Sequence, residues 1–138
     1  GHLTTLREFI GSWLVIYFYP KDDTPGCTIE ACSFRDTFPE LRNLGIKIIG
    51  ISKDSVASHQ KFMAKYNLPF TLLSDPEHQL IEAFGAWQPK KFMGKEFMGI
   101  IRSTFLVDPV GTIRYVWPKA TPKDHAEDII KVYNQIDK

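Results

Sequence analysis

Apolar stretches of two kinds alternate along this chain of 138 residues. The segments 13–19 and 46–51 are apolar at nearly every position, which is typical of central strands covered on both faces. Elsewhere apolar residues recur at helical spacing. The pattern predicts strands at 13–19, 46–51, 70–73, 103–107 and 113–117, helices at 25–38, 54–66 and 78–84, and a last helix with an apolar stripe at Ala126, Ile129, Ile130 and Tyr133.

Proline, glycine and hydroxyl residues mark where the first elements end. Pro20 ends the first strand, and Thr24 before Pro25 resembles the start of a helix, because a hydroxyl caps the helix and proline suits its first turn. Pro39 lacks an N–H group. We therefore expect it to interrupt or kink the helix and to leave a second short piece that ends near Gly45.

The second half of the chain carries three further signals. The Asp-Pro-Val-Gly sequence at 108–111 lies between two strand patterns and predicts an antiparallel hairpin. Residues 88–100 mix Gly, Pro and Lys with Phe and Met, and we interpret them as a long ordered loop. The Thr-Pro pair at 121–122 is expected to cap the last helix.

The order of these elements predicts an architecture. Two strand–helix–strand crossovers place three strands in parallel, and the hairpin adds antiparallel strands. We predict an α/β fold with a mixed central sheet covered by helices on both faces, which is the thioredoxin-like arrangement. Residues 1–138 are expected to form a single domain, because no repeat, linker or low-complexity tract interrupts the pattern.

Composition narrows the classes of function. Hydrophobic residues make up 43% and charged residues 24% of the chain, and the net charge is +1, so neither nucleic acid nor an anionic membrane is an expected partner. No apolar run approaches the roughly 20 residues of a membrane span, and no secretory signal is visible. We expect a cytoplasmic, reducing setting and leave open a targeting segment upstream of Gly1. Four scattered histidines predict no metal site.

Cys27 and Cys32 are the only cysteines, and the helix pattern gives them different surroundings. Cys27 falls in the first turn, where free N–H groups and the positive end of the helix dipole favour a thiolate. Cys32 lies deeper and gains little, so from position alone it is equally well interpreted as a small residue of the core. Thr24 offers a hydroxyl to a group bound over Cys27.

The spacing of the two cysteines limits what they can do together. Five residues of ideal helix separate two Cα atoms by about 8.7 Å, whereas a disulfide needs Cα atoms within about 7 Å. Cys27 and Cys32 therefore cannot bond while the helix is intact. If they form a disulfide, the first turns must unwind, which predicts a redox-linked order–disorder switch.

The cysteine segment resembles the active-site segment of the peroxiredoxins. Pro20, Thr24 and Cys27 match that family's pattern of Pro, three residues, Thr or Ser, two residues and Cys. The longer string, with Cys32 and then Phe-Arg-Asp at 34–36, is similar to the bacterioferritin comigratory protein or Q-type branch. The similarity covers nearly the whole chain and continues in four further motifs, at residues 71–75, 84–87, 92–95 and 99–108.

The resemblance assigns roles to five residues. It makes Cys27 the peroxidatic cysteine, Cys32 the resolving cysteine and Arg102 the arginine of the active site. Pro20 shields the thiol from water, and Thr24 hydrogen-bonds the peroxide. The set is chemically coherent, because a guanidinium holds a thiolate ionised and donates to peroxide oxygens.

The resemblance also implies a reaction cycle without metal, haem, flavin or another cofactor. Cys27 attacks hydrogen peroxide or an organic hydroperoxide and becomes a sulfenic acid, and Cys32 condenses with it to a disulfide. Thioredoxin, or a glutaredoxin-like protein, reduces that disulfide by exchange. The implied role is antioxidant defence and redox homeostasis, carried out by a monomer or a weak dimer. The family often has an N-terminal hairpin before the segment that matches residues 3–11, and this chain is expected to lack it.

Two other classes of function stay open. A redox sensor or holdase-like binding module would use the Cys27–Cys32 switch to expose a surface, although Arg102 with Thr24 suits peroxide chemistry better. A disulfide oxidoreductase of the same fold would need a C-x-x-C pair, and the helix geometry opposes it. Repeated peroxide reduction at the expense of thioredoxin separates a peroxidase from a sensor, which would oxidise only once.

Overall fold

The computed structural model describes residues 6–136. A short 3₁₀ helix, Leu6–Phe9, precedes strands and helices that are numbered here in chain order. The strands are β1 Trp13–Phe18, β2 Ile46–Ser52, β3 Thr71–Ser74, β4 Trp87–Phe92, β5 Lys95–Ile100, β6 Ser103–Val107 and β7 Ile113–Trp117; the helices are α1 Pro25–Asn43, α2 Val56–Tyr66, α3 Gln79–Ala83 and α4 His125–Gln135. Among the described residues, no helix has the length and apolar character needed to cross a bilayer. The expectation about an N-terminal hairpin lies outside the described residues.

Five strands form one mixed sheet in the order β3-β2-β1-β6-β7. β1, β2 and β3 run parallel, whereas β6 is antiparallel to β1 and β7 is antiparallel to β6. The central strand β1 is buried, and its side chains alternate between two apolar clusters, with Val15 and Tyr17 on one face and Leu14 and Ile16 on the other. The predicted mixed central sheet is confirmed.

Helices cover both faces of this sheet. In the first cluster, Phe34 of α1, Phe62 of α2 and Ile129 of α4 pack with β1, and the rings of Tyr17 and Phe34 stack with centroids 4.7 Å apart. In the second cluster, Ile81 of α3 packs on the opposite face. The apolar stripe predicted for the last helix is buried throughout. Most other predicted elements agree with the structure to within one or two residues.

The region at residues 88–100, predicted as a loop, is a hairpin instead. β4 and β5 pair antiparallel from Trp87 and Ile100 to the turn, and they form a separate two-stranded sheet. Met93 and Gly94 make the turn with φ values of 51° and 80°, which is the left-handed conformation that such a two-residue turn requires at both positions. The prediction was wrong because methionine is unusual there, and because most side chains of the hairpin are exposed on both faces.

The predicted interruption of the helix at Pro39 is also wrong, whereas the alternative, a kink at Pro39, stays a prediction. α1 is one helix of 19 residues with Pro39 inside it. The missing N–H removes a single hydrogen bond of the helix, while Thr37 and Leu41 on either side are buried against the core. Packing of the neighbouring turns therefore maintains the helix across the proline.

The last helix begins later than predicted. It starts at His125 with Asp124 as the N-cap residue, whereas the sequence predicted a cap at 121–122. The segment before it is held by another contact, because the backbone N–H of Ala120 donates to the carbonyl oxygen of Arg102 at 2.8 Å. This hydrogen bond attaches the chain after β7 to the segment before β6.

Replacing Gly50 by alanine is expected to destabilise the fold by roughly 1–3 kcal/mol, the usual cost of overpacking a core. A Cβ at this position in β2 would lie 2.7 Å from Cζ of Tyr17 and 2.8 Å from a methyl group of Leu72. Gly99→Ala is the matched control, because its Cβ would lie 2.7 Å from Cδ of Lys90, whose flexible side chain can move. Urea unfolding measures both variants, and equal losses would contradict the prediction.

Candidate active site

The topology brings two distant segments to one end of the sheet. Phe18, at the end of β1, pairs antiparallel with Ser103, at the start of β6. The loop that follows β1 therefore meets the segment that precedes β6. As a result Cys27, in the first turn of α1, contacts Arg102, although 75 positions separate them in the sequence.

Arg102 connects the cysteine to an acidic residue. Its Nη2 lies 3.1 Å from Sγ of Cys27, and its Nη1 donates to Oε1 of Glu30 at 2.8 Å. Cys27 is 1% exposed and Glu30 is 0% exposed, so both lie in the protein interior. Burial lowers the pKa of Arg102, but the charges of Glu30 and Cys27 outweigh it and raise the pKa above its ordinary value. The guanidinium is therefore a cation held against the thiol.

Glu30 is a residue of this site that the sequence analysis did not identify. Burial raises the pKa of its carboxyl to about 7, although Arg102 opposes the shift. Only one of its oxygens receives a hydrogen bond, and within residues 6–136 no partner is present for the buried Oε2. The sequence contains one signal for Glu30, which is its spacing from Cys27. A residue three positions after the cysteine lies on the same face of a helix.

Gly26 leaves space for the guanidinium. A Cβ at this position would lie 3.1 Å from Nη2 of Arg102 and 3.7 Å from Cγ of Pro122. A side chain there would push against the same nitrogen that contacts Cys27. The absence of a side chain at Gly26 therefore allows Arg102 to approach Cys27.

Thr24 and Pro20 lie in the loop between β1 and α1. Thr24 is the N-cap residue of α1 by position, but its side chain does not cap the helix. Its Oγ1 donates to the carbonyl oxygen of Lys21 at 2.8 Å. Because the hydroxyl proton is used in this bond, the oxygen is left to accept a hydrogen bond from a bound molecule. Pro20 is half-buried and follows the strand by two residues.

Cys32 lies on the same uninterrupted helix as Cys27, and both are free thiols. It is half-buried, whereas Cys27 is buried. Of its neighbours on the helix, Phe34 is buried and Ile29 is 51% exposed, so Cys32 lies at the border between the core and the surface. The intact helix keeps the two Cα atoms about 8.7 Å apart, outside the range of a disulfide.

Proteins of known identity resemble this chain over most of its length. Peroxiredoxin Bcp of Bacillus subtilis is 50% identical over 131 residues, which cover 95% of this chain and 83% of the relative. The putative peroxiredoxin bcp of Coxiella burnetii is 48% identical over 130 residues, which cover 94% of this chain and 86% of the relative. A structure of the bacterioferritin comigratory protein of Xanthomonas campestris, solved to study its alkyl peroxide reduction activity, is 44% identical with a TM-score of 0.95. That match covers 100% of this chain and 87% of the other.

Fold and relatives together define the class of protein, a thiol-dependent peroxidase on a thioredoxin-like fold. The chain belongs to the AhpC/TSA family, which matches its residues 1–116. The resemblance to the bacterioferritin comigratory protein or Q-type branch of the peroxiredoxins is thereby confirmed.

Glu30 predicts how the stability of the protein depends on pH. The pKa of its carboxyl is raised from 4.5 to about 7, so between these values the folded chain retains a proton that the unfolded chain has released. The stability contributed by this group is therefore lost as the pH rises from 4.5 to about 7, by up to about 3 kcal/mol, and is constant above that range.

The Glu30→Gln variant tests this dependence because glutamine does not titrate. The free energy of unfolding in urea, measured at several pH values, is expected to lose this downward slope in the variant. Glu40→Gln is the matched control, since Glu40 is exposed on the same helix and is expected to leave the slope in place. A wild type and a Glu30→Gln variant that differ by the same free energy at every pH would contradict the prediction.

Proposed function

We propose that this protein reduces hydroperoxides with Cys27 as the peroxidatic thiol and Cys32 as the resolving thiol. The observation that best supports the assignment is the 3.1 Å contact between Nη2 of Arg102 and Sγ of Cys27. A guanidinium at this distance favours the thiolate, which is the form that attacks a peroxide. The hydrogen bond from Arg102 to Glu30 fixes the orientation of the guanidinium.

In the first step, the Cys27 sulfur donates an electron pair to one oxygen of the hydroperoxide. The S–O bond forms from this pair, the O–O bond breaks, and the other oxygen leaves with the electron pair of the broken O–O bond and takes a proton to become water or an alcohol. Arg102 and the N–H groups at the start of α1 stabilise the charge that grows on the leaving oxygen. Thr24 accepts a hydrogen bond from the peroxide, because its own proton is donated to Lys21. Pro20 shields the thiol from water.

In the second step, the sulfur of Cys32 attacks the sulfenic sulfur of Cys27. The S–S bond forms, and the hydroxyl group leaves as water after taking a proton. Because the sulfurs cannot meet on an intact helix, α1 opens from its N-terminus. Two features of that end support opening: Thr24 provides no side-chain cap, and the first turn holds no acidic residue that would stabilise the helix dipole.

In the third step, a thioredoxin or a glutaredoxin-like protein reduces the disulfide by thiol exchange, for which the opened segment gives access. We propose both hydrogen peroxide and organic hydroperoxides as substrates, because the similar protein of X. campestris is described by its alkyl peroxide reduction activity. The cytoplasmic setting, and the monomeric or weakly dimeric state, stay predictions.

The two cysteines are expected to respond differently to replacement by serine. Cys27→Ser should abolish peroxide-dependent oxidation of thioredoxin, whereas Cys32→Ser should consume about one equivalent of peroxide and stop at the sulfenic acid. Stopped-flow tryptophan fluorescence and mass spectrometry of the oxidised cysteine measure both outcomes. Full activity in Cys27→Ser would contradict the assignment. A wild-type protein that consumes one equivalent and is not restored by thioredoxin would identify a sensor instead.

Arg102→Lys is expected to slow the oxidation of Cys27 by about 100-fold or more, a loss of the size seen when one preorganised donor is removed. Lysine keeps the charge but cannot contact Cys27 and Glu30 together in a fixed fork. Arg114→Lys is the matched control, because Arg114 pairs with Asp108 at 3.4 Å beyond the opposite end of β6. Equal oxidation rates in the two variants, measured under single-turnover conditions, would refute the role of Arg102.

A further inference from the structure

The loop between β1 and α1 is attached to the start of α2 by a buried network that the proposed mechanism does not use. Asp22 in this loop, Asp54 and His59 place ligand-type atoms within 4.8 Å of one another, and in the described part of the chain no other such group occurs. Asp22 is 8% exposed and His59 is 2% exposed. Asp22 precedes Cys27 by five positions in the same loop-to-helix segment.

Asp22 is saturated with hydrogen-bond donors from the protein itself. Its Oδ1 accepts from the hydroxyl of Tyr19 at 2.6 Å, and its Oδ2 accepts from the hydroxyl of Ser58 at 2.8 Å and lies 2.7 Å from Nδ1 of His59. Its backbone N–H donates to Oδ2 of Asp54 at 2.8 Å. Burial raises the pKa of Asp22, but the hydrogen bonds from these three side chains lower it overall. Asp22 is therefore an ionised carboxylate, and the cluster needs no metal ion to satisfy it.

The contacts of His59 determine its protonation. Nδ1 lies 2.7 Å from the carboxylate oxygen of Asp22, and Nε2 lies 3.1 Å from the backbone carbonyl oxygen of Leu73. A carbonyl oxygen and an ionised carboxylate can only accept hydrogen bonds. Each contact is a hydrogen bond when the ring nitrogen that faces the oxygen carries a proton, so the doubly protonated ring satisfies both contacts and forms an ion pair with Asp22.

We propose that His59 is a positioning residue, and that its ion pair with Asp22 holds the loop 20–24 and the start of α1 in the peroxide-reactive conformation. The effect on the reaction cycle rests on the proposed function, in which α1 opens to join Cys27 to Cys32. When the pair is intact, the loop stays attached to α2 and the first turn of α1 stays formed. When the pair is lost, the loop is released, and the helix opening that joins Cys27 to Cys32 becomes easier.

The groups around His59 favour its pair with Asp22. Two carboxylates, those of Asp22 and Asp54, and the hydroxyl of Tyr19 face it from other elements. Lys61 and Lys65 of its own helix are exposed. A neutral imidazole has a single N–H group. One ring nitrogen would then direct its lone pair at the oxygen of Asp22 or of Leu73, and that hydrogen bond would be lost. Both contacts therefore hold the loop against α2 only while each ring nitrogen donates a hydrogen bond.

His59→Gln tests the proposal through amide hydrogen exchange of the reduced protein. The exchange protection of the segment 20–28, which includes the amide of Asp22, is expected to fall about tenfold or more relative to the rest of the chain. Single-turnover disulfide formation after peroxide addition should be faster in His59→Gln than in the wild type.

His78→Gln is the matched control, because His78 pairs with Glu82 at 2.8 Å in a solvent-exposed contact. It is expected to leave the protection of the segment 20–28 unchanged. Tyr19→Phe is a second test if His59→Gln does not fold, since it removes only the hydroxyl that donates to Asp22 and should loosen the same segment by a smaller factor.

Three outcomes are informative. A loss of protection confined to 20–28 supports the proposal, even if the protein shows no peroxidase activity, because exchange does not depend on peroxide. A uniform loss over the whole chain would mean that His59 is merely structural and would overturn it. Unchanged protection in His59→Gln would also overturn it.

Discussion

The buried fork of Arg102 between Glu30 and Cys27 is the interaction on which the rest of the site depends. One guanidinium faces two groups that can both be anionic, in a place from which water is largely excluded. Two full negative charges there would exceed what one cation compensates. Because burial raises the pKa of Glu30 to about 7, its carboxyl is protonated for part of the time at neutral pH, and the positive charge is then available to the sulfur. The carboxyl thus orients the arginine without fully neutralising it.

This fork exists only because the sheet is mixed. The three parallel strands have their C-terminal ends at the same end of the sheet, so the loop after β1 and the residues after β2 lie close together there. β6 runs in the opposite direction, and its first residue therefore lies at that end of the sheet as well. Arg102 lies directly before this antiparallel strand, and Cys27 lies at the start of the helix that follows the parallel strand β1. At the same end of the sheet Asp22 lies against Asp54 and His59. The order and direction of the strands therefore position both the Cys27–Arg102 pair and the network that holds the loop before Cys27.

Much of this arrangement could be predicted from the sequence, and the failures have physical reasons. The buried strands and the Thr-Pro-Gly-Cys helix start are local signals, and they predicted the position of Cys27. The hairpin of β4 and β5 was missed because Met93 occupies a left-handed turn position and its strands show no alternation. Glu30 was missed because its role requires a partner 72 positions away. In the sequence His59 is one of four scattered histidines, and only the fold places it against Asp22.

The chemistry of the proposed cycle also explains when the helix opens. The contact of Arg102 with Cys27 is strongest while the sulfur is a thiolate, because charged hydrogen bonds contribute roughly 1.5–3 kcal/mol and neutral ones less. Oxidation to the sulfenic acid replaces that charge with a more weakly bound group. The first turn of α1, which has no side-chain cap, then loses this charged contact at the point in the proposed cycle when Cys32 must reach Cys27. Before oxidation the same contact opposes opening of the helix. The start of α1 is therefore intact while Cys27 reacts with the peroxide and open when the disulfide with Cys32 forms.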